Sequence, residues 1–152
     1  MKLVVLCLFA VCCYSLANTT TANGPNEIIL RRKLEEVLRQ LNEVRENLQH
    51  EEKMLNTPPE NIEDCCCVSA LRCFRDNLKV HFNDTERKQR KLFKSLQSPL
   101  TERGLAFCES GNNTVSQSSC QGCESHPKAK VQDFFNRLES LIQRGITKLS
   151  MK

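Results

Sequence analysis

The 152-residue sequence has no tryptophan and one tyrosine, and aromatic side chains make up only 5% of it. A core here must therefore be built mainly from aliphatic side chains, which suits packed helices. The sequence also lacks a glycine-rich phosphate loop, an internal repeat and the alternating apolar pattern of a strand. No histidine stands at a recognisable spacing from a nucleophile and an orienting carboxylate. These absences predict an all-α protein that is not an enzyme and has no cofactor.

Residues 1–17 have the pattern of a secretory signal peptide. A lysine at position 2 precedes an unbroken apolar run, and the small residues Ser15 and Ala17 stand three and one residues before the expected cut. The run is too short for a membrane-spanning helix, and no other stretch could cross a membrane. We therefore expect a secreted protein in which 18–26 form a flexible N-terminus and 27–152 form one domain.

Other features of the sequence agree with secretion. Asn-X-Thr sequons predict glycosylation at three surface positions, Asn18, Asn83 and Asn112. The formal net charge is only +4, which gives no reason to expect a nucleic-acid partner.

Ten cysteines are many for a chain of this size, and the seven that lie beyond the signal peptide predict a disulfide framework. Cys66 and Cys73 are two helical turns apart and share one face, whereas Cys120 and Cys123 lie close together before the last helix. This spacing predicts two cross-links between the second helix and the beginning of the fourth.

The remaining three cysteines are Cys65, Cys67 and Cys108. Cys65 and Cys67 project about 100° to either side of Cys66, so at most one of them readily reaches Cys108. The other is then free or pairs between chains.

Two other interpretations of the cysteines compete with disulfides. The spacing of Cys120 and Cys123 is that of a thioredoxin-like redox motif, but the βαβ context of such motifs is missing. The clustered cysteines could also bind zinc together with His81 or His126. Secretion and the consecutive cysteines argue against that site, and we predict no metal.

Apolar residues recur at helical spacing in four segments of the chain. The first segment runs from Glu27 to about His50, with an extension to about Leu55 that Pro58 and Pro59 would end. Its core stripe comprises Leu30, Leu34, Val37, Leu38, Leu41, Val44 and Leu48. The second segment begins at residue 63 or 64, and its apolar side comprises Cys66, Ala70, Cys73, Phe74 and Leu78.

The third segment, 85–100, is a basic helix. Its apolar side comprises Leu92, Phe93, Leu96 and Leu100, and its remaining surface is crowded by Arg87, Lys88, Arg90, Lys91 and Lys94. Residues 101–124 have no sustained period and predict a long connection. Such a connection allows consecutive helices of a bundle to run parallel.

The fourth segment, 124–152, has the strongest helical pattern. Its stripe comprises Val131, Phe134, Phe135, Leu138, Leu141, Ile142, Ile146 and Leu149. We expect Ser125 to cap this helix and Pro127 to lie in its first turn. Gly145 interrupts the stripe and weakens the helix by about 1 kcal/mol.

Three blocks of sequence carry a resemblance to a known family. They are the stretch Cys66-Cys67-Val68-Ser69-Ala70-Leu71-Arg72-Cys73-Phe74, the stretch Cys120-Gln121-Gly122-Cys123-Glu124, and the last helix from Phe134-Phe135 through Leu141-Ile142-Gln143. Together they resemble the short-chain four-helix cytokines of the interleukin-2, -15 and -21 group. The last helix is most similar to interleukin-21, and the basic third helix agrees with that likeness. Val68 to Phe74 is also similar to interleukin-15.

The resemblance implies an up-up-down-down four-helix bundle with long crossover loops and two or three disulfides. Two of these are implied directly, Cys66 with Cys120 and Cys73 with Cys123. Cys65, Cys67 and Cys108 depart from the pattern of the group.

The resemblance also implies a function, which is binding without catalysis. A monomeric secreted cytokine of this kind joins a private receptor chain, here like that of interleukin-21, to the common γ chain. Joining them triggers JAK/STAT signalling in lymphocytes. The private-receptor face maps onto Ile29, Arg32, Lys33 and Glu36 of the first helix, with Lys91 and Lys94 of the third. The contacts to the common chain map onto Gln143 and Ile146, and Gly145 would either admit a receptor loop or mark a frayed end.

Several alternatives remain open at this point. The cytokine could be like interleukin-15 or interleukin-2 in its receptors. The basic third helix could bind sulfated glycosaminoglycans, or it could be an ordinary solvated face. From another class, a secreted amphipathic lipid carrier would have similar apolar stripes. Such a carrier, however, has less need of two cross-links that fix one topology.

Overall fold

The structure is a computed structural model that describes residues 24–48, 50–82, 85–108 and 119–152. These residues form five α-helices, which are α1 (Pro25–Asn47), α2 (Cys67–His81), α3 (Arg87–Gln97), α4 (Pro99–Gly104) and α5 (Val131–Ser150). They also form two short strands, which are β1 (Met54–Asn56) and β2 (Lys128–Lys130). The predicted signal peptide and the sequons at Asn18, Asn83 and Asn112 lie outside the described residues.

Contacts between helix ends establish the directions of α1 and α5. Arg45, near the end of α1, donates hydrogen bonds to Asn136 and Glu139 near the beginning of α5, each at 2.8 Å. The two helices are therefore antiparallel. In the same way, Lys33 in the first half of α1 donates a 3.4 Å hydrogen bond to Ser95 near the end of α3, so α3 also runs against α1.

The direction of α2 follows from contacts at both of its ends. Phe82, just after α2, packs against Phe135 near the beginning of α5, with ring centroids 6.0 Å apart. Asp64, just before α2, pairs with Arg144 and Lys148 near the end of α5. Since α2 is antiparallel to α5, it is parallel to α1. The bundle is therefore up-up-down-down, and the predicted fold class is confirmed.

The core is mainly aliphatic, but phenylalanines lie at its centre. Phe74 of α2 packs edge to face on Phe134 of α5 at 5.1 Å, and Phe134 packs on Phe135 at 5.5 Å. All three rings are buried. The aliphatic residues around them come from α1, α2, α3 and α5 and include Leu34, Val37, Leu41, Leu71, Leu92, Leu96, Leu138 and Ile142. The four predicted stripes thus pack against one another.

A two-stranded sheet lies where the sequence predicted none. β1 pairs antiparallel with β2, with Leu55 opposite Ala129, and the Leu55 side chain is fully buried. The side-chain amide of Asn56 donates to the His126 carbonyl at 2.8 Å. The first helix consequently ends at Asn47, before the predicted end, because the chain must turn and extend to reach β2. Strands of three residues are too short to show an alternating pattern.

The same sheet corrects the predicted beginning of the last helix. α5 begins at Val131, so Ser125 is not its cap and Pro127 is not in its first turn. Ser125 instead ends a short 3-10 turn, and the Pro127 carbonyl accepts a 3.0 Å hydrogen bond from the Thr57 amide. The extended backbone required for pairing with β1 excludes a helix here.

The basic helix and the connection after it also differ from the prediction. α3 ends at Gln97, and a separate helix, α4, follows with Ser98 as its cap and Pro99 at its beginning. The first part of the predicted connection is therefore structured. Thr101 and Leu105 are completely buried, and only 109–118 lie outside the described residues.

Three disulfides join the first half of α2 and the turn before it to the chain between α4 and α5. Cys66 is bonded to Cys120, Cys73 to Cys123, and Cys65 to Cys108, with Cα atoms 5.6, 5.0 and 4.5 Å apart. Each contributes about 2–4 kcal/mol to stability by restricting the unfolded chain.

Cys67 is the free cysteine of the described residues and lies in the core. Its thiol donates to the Glu63 carbonyl at 3.6 Å. Burial raises the pKa of the Cys67 thiol, so the sulfur stays protonated and unreactive. Of the two residues that flank Cys66, Cys65 therefore reaches Cys108 and Cys67 contributes to packing.

A polar cluster fixes the end of α5 against the segment before α2. The Asp64 carboxylate accepts hydrogen bonds from Arg144 and Lys148, and Arg144 also donates to the Ile62 carbonyl. The Lys148 ammonium lies 4.9 Å from the centre of the Phe107 ring. The hydrogen bond from Lys148 is the largest cause that lowers the pKa of the Asp64 carboxyl below its ordinary value.

We expect Asp64→Asn to lower the free energy of unfolding at pH 7 by about 1 kcal/mol, because the cluster is partly exposed and solvent weakens ion pairs. The folded-state pKa of Asp64 lies below the ordinary 3.8, so this contribution is complete well above pH 3.8 and is lost as the pH falls through the lower folded value. Urea unfolding at pH 7 and pH 2.5 measures it. The control Glu43→Gln removes an exposed carboxylate that has no ion pair within the described residues. Equal losses for the two variants at pH 7 would contradict the assignment.

Gly145 is buried where α1, α4 and α5 meet. A Cβ atom added there would lie 2.7 Å from side-chain carbons of both Leu34 and Leu105, and 3.3 Å from the Gly104 carbonyl oxygen. The missing side chain thus permits close helix packing. The expectation that Gly145 admits a receptor loop or marks a frayed end is wrong.

We expect Gly145→Ala to destabilise the protein although alanine favours a helix by about 1 kcal/mol. Overpacking costs roughly 1–3 kcal/mol, and Leu34 and Leu105 are both fully buried with little room to move. Thermal unfolding followed by circular dichroism measures the change. The control Thr147→Ala makes a helix-favouring change at an exposed position of α5 and should leave the melting temperature unchanged or higher. A Gly145→Ala protein as stable as this control would show that the contact does not limit packing.

Candidate functional site

α1 lies between α3 and α5, and each of its flanks forms a different surface. Lys33 contacts Ser95 of α3 on one flank. Arg45 contacts Glu139 of α5 on the other. We call these surfaces the α1/α3 face, formed by Ile29, Lys33, Glu36, Lys91 and Lys94, and the α1/α5 face, formed by Ile28, Arg32, Gln143, Ile146 and Leu149.

The predicted private-receptor residues of α1 are in different environments. The Ile29 side chain is exposed, with 49% of its surface accessible. Lys33 is half-buried, and its ammonium donates to the Glu36 carboxylate at 3.2 Å as well as to Ser95. Glu36 also accepts a 3.1 Å hydrogen bond from Gln40. Ile29 is therefore open to a partner, whereas Lys33 and Glu36 are already paired.

The two predicted receptor residues of α3 are both exposed. Lys91 and Lys94 lie on the outer side of the helix, opposite the buried Leu96. Neither makes an ion pair with the described part of the chain. They border the α1/α3 face through Ser95, the buried residue that Lys33 contacts.

Arg32 is the predicted private-receptor residue of α1 that also borders α5. It lines a groove between the beginning of α1 and the end of α5, which is also lined by Glu27, Ile28, Arg31, Glu35 and Leu149. Around the axis Arg32 is 100° from Lys33 but only about 60° from Ile29, so it lies at the border between the two faces. Because it lines the groove with Leu149, we group Arg32 with the α1/α5 face.

The predicted common-chain residues lie on the side of α5 that faces α1. Glu139, Gln143 and Ile146 follow one another at steps of four and three, so they form one stripe along α5. Glu139 belongs to the link with Arg45 of α1, which fixes the direction of this stripe. Gln143 is exposed, and Ile146 is half-buried and packs against the core.

Two features of these faces were missed from the sequence. Ile28 is exposed, with 44% of its surface accessible, and it lines the groove with Leu149. The signal was the run Ile28-Ile29-Leu30, because three consecutive apolar residues of a helix cannot all face one core. The link from Arg45 to Asn136 and Glu139 gave no signal, since its members are more than 90 residues apart.

Other kinds of site find little support among the described residues. No group of three His, Cys, Asp or Glu side chains there is placed to hold a metal ion. His81 is exposed at the end of α2, whereas His126 is buried before β2, and burial lowers the pKa of the His126 imidazole. None of the described helices has the length and apolar character needed to span a membrane.

Comparison with known protein families identifies the group to which this bundle belongs. The model of the family described as interleukin 15 matches residues 5–147. The match includes α1 to α4, all but the last three residues of α5, and the six cysteines of the three disulfides. It bears out the resemblance to cytokines of the interleukin-2 and -15 type, while the special likeness to interleukin-21 stays a prediction. Interleukins are secreted signalling ligands rather than enzymes. The chain belongs to the interleukin 15 family.

Proposed function

We propose that this protein is a secreted, monomeric cytokine that binds a private receptor chain through the α1/α3 face and the common γ chain through the α1/α5 face. Bringing the two chains together activates JAK/STAT signalling in lymphocytes. The observation that carries the proposal is the placement of two surfaces along α1, one shared with α3 and the other with α5. A ligand of this shape holds two receptors at a fixed separation, which is what activation of their bound kinases requires.

The composition of the α1/α3 face suits a specific protein partner. Ile29 supplies an exposed apolar contact, and the Lys33 and Glu36 pair beside it presents both charge signs. Lys91 and Lys94 add positive charge at the border. Interfaces of this kind gain affinity from a central apolar contact and gain specificity from surrounding charge.

The α1/α5 face is less charged at its centre. The half-buried Ile146 and the exposed Ile28 supply apolar area, and the Gln143 amide offers both a donor and an acceptor. Arg31 and Glu35 at the border are paired with each other at 2.9 Å. An amide within an apolar surface suits a partner that hydrogen-bonds to it when water is excluded.

We infer that the private receptor is of the interleukin-15 type. The family match covers the whole of α1 and α3, which form the private-receptor face. The likeness to interleukin-21 rests mainly on α5, which forms the other face, and the basic character of α3 agrees with it; the family match also covers α5 as far as residue 147. Binding to the two private-receptor ectodomains, measured side by side by surface plasmon resonance, separates these alternatives. Preference for the interleukin-21 receptor would overturn this assignment without affecting the two faces.

We expect the double substitution Gln143→Ala with Ile146→Asp to reduce common γ chain binding and signalling by at least about tenfold, because a charge in an apolar contact must be desolvated. Private-receptor binding should stay unchanged. Surface plasmon resonance and STAT phosphorylation measure the two effects, and circular dichroism verifies the fold. The control Val80→Asp with Gln121→Ala makes the same changes at exposed positions outside both faces, Val80 being 75% accessible. Normal signalling by the first variant would remove α5 from the site.

Adjacent isoleucines on α1 give a second test of the two-face arrangement. Ile29→Asp should weaken private-receptor binding by about tenfold or more, since hot-spot apolar contacts contribute over 1 kcal/mol each. Ile28→Asp should instead weaken common γ chain binding. The two side chains have similar exposure, so any loss of helix stability should also be similar. If both substitutions weaken binding to the same receptor chain, the division of α1 into two faces is wrong.

A further inference from the structure

The charge of α3 is unlike that of any other helix described here. Its eleven residues include five cations and no acidic residue, and the cations are Arg87, Lys88, Arg90, Lys91 and Lys94. All five are exposed, and none has an ion-pair partner in the described part of the chain. On α1, by contrast, Arg31, Lys33 and Arg45 are each paired with a carboxylate.

Four of these cations form one stripe along the helix. Arg87, Lys91 and Lys94 follow at steps of four and three, and Arg90 lies directly beside them. At 100° per residue the four occupy an arc of about 100° and extend for about 10 Å along the axis. Leu92 and Leu96, on the other side of the helix, are buried in the core. The stripe is therefore held outward by the packing of the bundle.

Helix stability does not explain this charge. Arg87 and Lys88 lie in the first turn of α3, where positive charge opposes the helix dipole. The Glu86 carboxylate, just before the helix, accepts a 2.7 Å hydrogen bond from the backbone N–H of Gln89 and so caps α3. The repulsion among neighbouring cations adds a further cost. The charge of α3 therefore costs helix stability instead of adding to it.

We propose that the outward stripe of α3, comprising Arg87, Arg90, Lys91 and Lys94, binds a sulfated glycosaminoglycan. A linear polyanion matches a row of cations, and guanidinium groups suit the planar pairing of sulfate oxygens. The stripe has no apolar residue at its centre, as a protein hot spot would need. An anionic membrane is a poorer match, because the apolar side of α3 is buried and cannot enter a lipid surface.

This inference goes beyond the two receptor faces and also connects with them. Lys91 and Lys94 belong to both the stripe and the α1/α3 face, whereas Arg87 and Arg90 belong only to the stripe. A glycosaminoglycan chain on the stripe therefore competes with the private receptor. The glycan concentrates the cytokine at cell surfaces and releases it when the receptor is engaged.

Binding to a size-defined heparin oligosaccharide, measured in solution from 50 to about 300 mM NaCl, tests the proposal. Arg87→Ala with Arg90→Ala should weaken binding at least about fivefold at 150 mM NaCl and lower the salt slope by roughly one for each cation removed. Private-receptor binding without heparin should stay unchanged. The control Lys128→Ala with Lys130→Ala removes the same charge from two exposed residues of β2. Desulfated heparin should bind neither the native protein nor the variants.

Three outcomes would overturn the proposal. Equal weakening by the two pairs of substitutions would show attraction by net charge only. Loss of private-receptor binding by the Arg87 and Arg90 variant, with heparin binding retained, would assign the stripe to the receptor. Equally tight binding of the native protein to phosphatidylserine vesicles would show a general anion surface without preference for sulfated sugars.

Discussion

The structure depends on the close approach of α1 to α4 and α5 around the Leu34 side chain. Gly104 and Gly145 both face this leucine, and a Cβ atom on either glycine would lie within 3.1 Å of it. Two helices can therefore approach α1 more closely than larger residues would permit. This approach places the flanks of α1 beside α3 and α5, and both proposed receptor faces arise from it. Most of the face residues contribute little to the core; the exceptions are Leu149, which is buried in it, and the half-buried Ile146, which packs against it.

The three disulfides lie on the side of the bundle away from α1. All three connect the first half of α2 and the turn before it with the chain between α4 and α5, and Asp64 adds an ionic link from the same segment to the end of α5. A small core of few aromatic residues gains stability from such cross-links. Because they lie away from α1, they stabilise the bundle without occupying either proposed receptor face. Stability and binding are thus assigned to different sides of the molecule.

The parts of the fold that were predictable from the sequence are those determined by neighbours in the chain. The stripe from Leu30 to Leu48 and the stripe from Val131 to Leu149 each showed a helical period, and both helices formed. The sheet was unpredictable because Leu55 and Ala129 pair across more than 70 residues, and each strand alone has no pattern. The late beginning of α5 follows from the same pairing. Gly145 was misinterpreted because a helical period gives the face of a residue but not the size of its neighbour.

The candidate site was predictable to a similar degree. Helical spacing placed Gln143 and Ile146 on one stripe, but only the contact of Arg45 with Glu139 shows which helix that stripe faces. Arg32 and Lys33 are adjacent in sequence and were assigned to one face, yet the tertiary packing separates them. The sequence also could not show which charged side chains are free and which are paired. An ion pair with a residue on another helix has no local signal.

Lys33 illustrates how internal pairing changes the role of a predicted contact residue. Its ammonium already donates to Glu36 and Ser95, and only 19% of its side chain is accessible. A receptor carboxylate would have to displace these partners, and the exchange of one partly buried ion pair for another yields little net free energy. Lys33 therefore contributes by orienting Glu36 and joining α1 to α3. Lys91 and Lys94 of the same face have no ion-pair partner among the described residues to lose, so attraction of an anionic surface falls to them.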